Sequence, residues 1–258
     1  MSGQTDRRGW LQAAGAALGA LWLSACNKLN DNPKVQSTLQ KAEGLNLRAQ
    51  RALLTRTSLA REFGEADISP DFRPNGSTNP SDPDYQAAVR NGFADWRLVI
   101  DGLVETPLSL SLADLRAAPA RTQITRHDCV EGWSSIGKWT GARLSPLLDR
   151  AGLKPQARYV VFHCADTLEE TPDGTGRYYE SLDLVDAHHP QTILAYAMND
   201  RPLPVAHGAP LRLRVERQLG YKQAKYVMRV EAVADLAAIG RGKGGFWEDR
   251  GYEWYAGI

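Results

Sequence analysis

From Trp96 onward the apolar residues come in short β-prone runs, broken by glycine and proline, with no internal repeat and no regular strand–helix–strand alternation. That pattern argues against a doubly wound parallel sheet, a solenoid and a helical bundle. It predicts an α+β domain with much irregular loop. Residues 96–102 read as a strand running into a turn, and Ser111-Leu112-Ala113-Asp114 as a capping box opening a short helix. Ser145-Pro146 opens another helix, with Leu144, Leu147, Leu148 and Ala151 on one face and Gly152 as its stop. Residues 159–164 and 226–233 are further strands. In Leu211-Arg212-Leu213-Arg214-Val215 the strict alternation places both arginines on the face opposite the apolar one. Residues 65–86, crowded with Pro, Gly, Asn, Asp and Ser, read as extended loop.

The N-terminus carries an address. Asp6-Arg7-Arg8-Gly9-Trp10-Leu11 and the diluted apolar run after it resemble a twin-arginine export signal, and Leu23-Ser24-Ala25-Cys26 resembles a bacterial lipobox. The expected organisation is a signal peptide over 1–25, a tether with some helix over 26–65, and a folded domain over 66–258. Cys26 is the expected lipidation site and the periplasm the expected compartment. An anchor helix with an unmodified Cys26 is the plainer alternative. With 31 Lys+Arg against 30 Asp+Glu, the formal charge of +1 offers no electrostatic reason to expect nucleic acid. The 3 cysteines form no disulfide framework, and there is no C-x-x-C or haem-attachment motif.

Two constellations carry chemistry. Cys129 sits in Thr125-Arg126-His127-Asp128-Cys129-Val130-Glu131-Gly132-Trp133-Ser134, a polar setting unlike that of an inert core cysteine. A thiolate near basic groups is a nucleophile or a soft-metal ligand. Cys164, in an apolar run, reads as structural, and Asp166 after it as a loop cap or a ligand contact. The second constellation is His207-Gly208-Ala209-Pro210-Leu211-Arg212 followed by Gly220-Tyr221-Lys222-Gln223-Ala224-Lys225. Arginine, lysine and turn N–H groups brought together suit a phosphate ester. A solvated strand face with surface lysines is the plainer reading of the same residues.

Cys-Val-Glu-Gly-Trp-Ser, His-Gly-Ala-Pro-Leu-Arg and Gly-Tyr-Lys-Gln-Ala-Lys-Tyr-Val, in that order, resemble the molybdopterin-binding domain of the sulfite oxidase family. The nearest branch is the exported bacterial enzymes related to the methionine-sulfoxide reductase catalytic subunit. The resemblance runs from about Asp67 onward and implies a single mixed, strand-rich domain carrying a molybdenum–molybdopterin cofactor (Mo-MPT). It implies Cys129 as the thiolate ligand to molybdenum, with His207, Arg212, Gln223, Ala224 and Lys225 on the pterin and its phosphate. Asn75 and Asp166 match cofactor-contacting positions more loosely, and Tyr252, in a W-x4-Y spacing from Trp247, matches a tyrosine beside the metal. The residues after Cys129 depart from the family's sulfite-binding pattern: Gly132, Trp133 and Ser134 stand where an Asn-Arg-Arg cluster would bind the anion. The implied activity is two-electron oxygen-atom transfer, with reduction of an S-oxide favoured over oxidation of sulfite. Its partners are a small oxo-donor or oxo-acceptor substrate and a separate electron-transfer protein, either a membrane haem protein or a soluble cytochrome. Without that resemblance the residues also admit a cysteine hydrolase with His127 or His207 as base, or a ligand-binding lipoprotein. A zinc site from His127, Cys129, His163 and Cys164 fits no usual spacing.

Overall fold

The computed structural model describes residues 32–258, which divide into two units, one ending at Leu53 and one running from Leu54 to Ile258. In the first, α1 (Pro33–Leu53) is a single helix of 21 residues. The twin arginines and Cys26 lie outside the described residues. Among the described residues, no helix is long and apolar enough to cross a membrane.

The second unit is built on two sheets. One takes its order β2-β1-β10-β5-β6 from β1 (Arg97–Gly102), β2 (Leu108–Ser111), β5 (Tyr159–Thr167), β6 (Arg177–Asp183) and β10 (Val227–Val233). It is mixed, because β1 runs parallel to β10 while its other pairs are antiparallel. The other sheet has the order β3-β4-β7-β8, from β3 (Ala120–Asp128), β4 (Ser134–Arg143), β7 (Ile193–Met198) and β8 (Arg201–Pro202). In it, β9 (Arg212–Arg214) also pairs with β7. The main core takes Leu98 and Ile100 from β1, Val160 and Phe162 from β5, Leu213 from β9 and Val230 from β10. The class is α+β, as expected.

Local chemistry accounts for the helices. The capping box at Ser111 forms: Asp114 N–H donates to Ser111 Oγ at 3.1 Å, and Ser111 N–H donates to Asp114 Oδ2 at 2.8 Å. It starts α3 (Leu112–Ala117). α4 (Leu144–Ala151) starts one residue before Ser145, and Gly152, at φ 70°, ends it in the left-handed region. Its Leu144, Leu147, Leu148 and Ala151 are buried, as the spacing predicts.

Two expectations need correction. Residues 83–86 are not loop: Asp82 caps α2 (Pro83–Arg90), with Pro83 in the first turn and Tyr85 N–H donating to Asp82 Oδ1 at 2.9 Å. The proline read as a breaker is a helix starter. Arg212 and Arg214 are not on a solvated face, being 4% and 0% exposed. The longest hairpin, β3–β4, gives no apolar alternation in sequence because β3 buries Gln123, Thr125 and His127. Gln123 Nε2 donates to Gln191 O at 3.0 Å and to Glu216 Oε1 at 2.8 Å, so this polar face is hydrogen-bonded rather than stranded. Residues 54–63, at the end of the expected tether, lie along the same sheet. Gln191 holds both backbone groups of Ala60, and Phe63 N–H donates to Ile124 O at 2.9 Å.

Candidate active site

Cys129 stands at the turn between β3 and β4. Its N–H donates to Trp133 O at 3.0 Å, and Gly132 N–H donates back to Cys129 O at 3.0 Å. Gly132 adopts φ 86°, a conformation costly for any residue with a Cβ. The turn aims Sγ into a cavity of about 200 Å³. There the thiol sulfur accepts a hydrogen bond from Asn75 Nδ2 at 3.1 Å, the contact a thiolate gains most from. Burial holds the Cys129 thiol above its ordinary range, so in the free protein the sulfur keeps its proton at neutral pH.

The opposite wall is basic. The 3-10 turn Val205–His207 ends at Gly208 (φ 108°), and the chain turns back into β9. Arg212 Nη1 donates to His207 O at 3.1 Å and Nη2 to Gln223 O at 3.4 Å, while Nε has no partner. Lys225 Nζ donates to Ala206 O at 3.1 Å and to Ser77 O. Burial, with Arg212 nearby, lowers Lys225 to about 7. His207 is lowered to about 4 by burial and then by Arg212, which makes it a neutral ring at physiological pH. Asp166, at the end of β5, is raised to about 7 by burial, and its Oδ1 is buried without a partner.

Aromatic side chains form the rest. Tyr178 on β6 donates through its hydroxyl to Tyr221 O at 2.5 Å. Tyr252 lies edge-on to Tyr221 at 5.2 Å and tilted against Trp247 at 5.2 Å. With 40% of its surface exposed, Tyr252 sits at the mouth rather than the floor. Beside Cys129, Glu131 Oε2 accepts from Trp133 Nε1 at 2.9 Å, and the Arg73 guanidinium stands 5.8 Å over the Trp133 ring.

The structure thus brings Asn75, Cys129, Asp166, His207, Arg212, Gln223, Lys225 and Tyr252 to one cavity. Ala224 does not line it: its side chain is buried, and its carbonyl accepts from Leu213 N–H at 2.8 Å. Lys222, paired with Lys225 in the sequence, turns the other way and is fully buried between Glu180 and Glu248. Cys164 is buried in β5, away from the cavity, as its apolar neighbours suggest. Phe72, Ser77 and Tyr178 also line the cavity. Their sequence surroundings are loop or plain strand, with no motif to single them out.

Two cavity-lining atoms, Asp166 Oδ1 and Arg212 Nε, are buried polar atoms without a partner. Such atoms are rare in a folded protein and call for a ligand that completes them. A Cβ on Gly208 would come within 3.0 Å of the Lys225 side chain, so only glycine lets the turn lie so close to the two cations. A soft sulfur donor facing a basic, half-satisfied cradle is the donor set that a phosphorylated, sulfur-bound metal group needs. The residues present fit that group.

Comparison with known proteins agrees. The family model described as "Oxidoreductase molybdopterin binding domain" matches residues 86–237, more than half the chain. A protein from Azospira oryzae, provisionally named as the protein-methionine-sulfoxide reductase subunit YedZ1, is 35% identical over 252 residues, which is 97% of this chain and 87% of that protein. The protein-methionine-sulfoxide reductase catalytic subunit MsrP of Xanthomonas campestris is 32% identical over 237 residues, covering 90% of this chain and 71% of its own. Among solved structures, the sulfane dehydrogenase SoxCD of Paracoccus pantotrophus superposes on 55% of this chain and 39% of that one, with TM-score 0.48 and 26% identity, too loosely to transfer residue roles.

Proposed function

Because this chain belongs to the oxidoreductase molybdopterin-binding family and is an oxidoreductase, we propose that it reduces S-oxides, methionine sulfoxide foremost, using a molybdenum–molybdopterin cofactor. One observation carries the reading: a single thiol faces a basic cradle with unpaired buried polar atoms across one cavity. When bound, the cofactor supplies a metal centre that exchanges two electrons and an oxygen atom with substrate. Cys129 Sγ is the protein's ligand to that metal, and the Asn75 amide stabilises the thiolate form by donating to it. Arg212 and Lys225 offer charge to the phosphate, and His207 a neutral ring to the pterin. Trp247, Tyr221 and Tyr252 narrow the mouth, exclude water and offer an apolar surface to a thioether chain. The Tyr252 hydroxyl is the donor for a sulfoxide oxygen.

Charge at the mouth supports an uncharged sulfoxide over sulfite. Glu131 and Arg73 both line the cavity beside Cys129, so that end offers no cluster of cations to collect a dianion. Reduction of a sulfoxide consumes two electrons and two protons and releases the oxygen as water. The electrons come from a separate redox protein, a membrane haem protein being the partner that a lipid anchor at Cys26 would keep near. Export to the periplasm by the twin-arginine route belongs to the same proposal.

The test is molybdenum per chain on protein from a cofactor-competent host, together with dye-linked turnover of methionine sulfoxide and of sulfite. We expect near-stoichiometric metal and sulfoxide-dependent oxidation of the reduced dye. In Cys129→Ser, turnover should fall at least about a thousandfold, as for a lost metal ligand. Metal-free protein from that host, or faster turnover of sulfite than of sulfoxide, would overturn the proposal.

A further inference from the structure

His127 lines the cavity two residues before Cys129, yet the reading above gives it no task. Its ring lies between Phe72, at 5.7 Å, and Trp133, at 5.6 Å. Behind it is Arg214, completely buried and gripped by Glu216 through Nε–Oε1 at 2.9 Å and Nη2–Oε2 at 2.6 Å. Arg214 Nη1 reaches His127 Nδ1 at 3.2 Å. A guanidinium only donates, so Nδ1 must accept, and the ring proton belongs on Nε2.

The other side of the ring offers that proton an acceptor. Gln223 Nε2 lies 3.3 Å from Gln218 O, which only accepts, so the amide must present its NH2 there and its oxygen elsewhere. That oxygen, Gln223 Oε1, is a buried acceptor with no hydrogen-bond partner, and Gln223 lines the same cavity as His127. Nε2 also packs against Gly220, where an added Cβ would stand 2.5 Å from it.

We propose that His127 is a positioning residue: held by Arg214 as the Nε2–H tautomer, it donates to Gln223 Oε1 and ties the strand bearing Cys129 to the segment that closes the cavity. The tie continues through Gln223, whose backbone carbonyl accepts from Arg212 Nη2 at 3.4 Å. Glu216, Arg214, His127, Gln223 and Arg212 then form one buried series. It sets the distance between the thiol wall and the basic wall, and a satisfied buried series of this kind holds a single geometry. The effect on cofactor retention rests on the oxidoreductase reading above; the tautomer does not.

The experiment uses full-length protein labelled with 15N-histidine. A multiple-bond proton–nitrogen correlation at neutral pH should show His127 with a protonated Nε2 and a bare Nδ1, the signal being assigned by its loss in His127→Gln. A protonated Nδ1 in that ring overturns the proposal. Molybdenum retained per chain after gel filtration is the second readout. His127→Phe, which keeps the ring volume but makes neither bond, should retain about tenfold less. His127→Gln, which offers both an acceptor and a donor, should come back to within about threefold. Equal retention in His127→Phe and wild type also overturns it. If His127→Phe does not fold, Gln223→Met, which removes only the far acceptor, replaces it with the same expected loss. Should the wild type hold no molybdenum, the oxidoreductase reading fails on its own. The Gln223 side-chain amide resonances then decide the positioning role: they move in His127→Phe and return in His127→Gln, or the role is refuted.

Discussion

Asp166 shows how one buried side chain can tune the cradle. Its carboxyl titrates at about 7 in the folded protein against 3.8 for the free side chain, because burial disfavours the charged form. A carboxyl raised in this way contributes its full stability below its unfolded value and loses it as the pH rises through 7. Above neutrality the folded cofactor-free protein therefore forgoes up to about 4 kcal/mol. Asp166→Asn removes the titration, so the melting temperature of cofactor-free variant minus wild type should increase from pH 5 to pH 8. A difference that stays flat, or narrows, would mean Asp166 is charged in the fold. The sequence could place Asp166 at a strand end, but not tell a loop cap from a cavity wall. That distinction depends on β5 running on to Thr167 with Asp166 on its buried side.

Among the elements, those with local causes were legible and those with distant causes were not. The capping box before α3, the apolar face of α4 and the run of β5 are written within a few residues of themselves. β3 was invisible because its inward side is polar, and the residues that satisfy it, Gln191, Arg214 and Glu216, lie 68 to 93 positions away along the chain. The alternation of β9 was read correctly but its environment was not, since nothing local reveals that Trp139 lies 4.9 Å from Arg212 and 4.4 Å from Arg214. The turn after Gly220 split its two lysines for the same reason. Lys222 Nζ reaches Glu248 at 2.5 Å and also contacts Glu180, joining β6, this turn and the 3-10 turn Glu248–Arg250. Burial, and then the neighbouring Glu248, hold the Glu180 carboxyl well above its usual range. Lys222→Met leaves them without a cation, and equilibrium urea unfolding should show a loss of about 3–5 kcal/mol. A loss below about 1 kcal/mol would mean that the cluster is hydrated rather than dry.

For the molecule as a whole, both sheets and every cavity-lining residue lie in the unit from Leu54 to Ile258. A chain beginning at residue 54 should therefore fold and bind molybdenum as the full chain does. Its melting temperature, from circular dichroism, should fall within about 4 °C of the longer protein. A fall of more than about 10 °C would show that residues before Leu54 are part of the folded core.

β10 lies between β1 and β5, so the first strand of its sheet waits for a partner made some 130 residues later. The cavity waits longer still, because Trp247 and Tyr252 stand in its wall. A ribosome that has translated as far as residue 226 holds a chain with Cys129 and Arg212 already made but no central strand to bring them face to face. The proposed cofactor therefore meets its whole site only after the chain has been made through Tyr252.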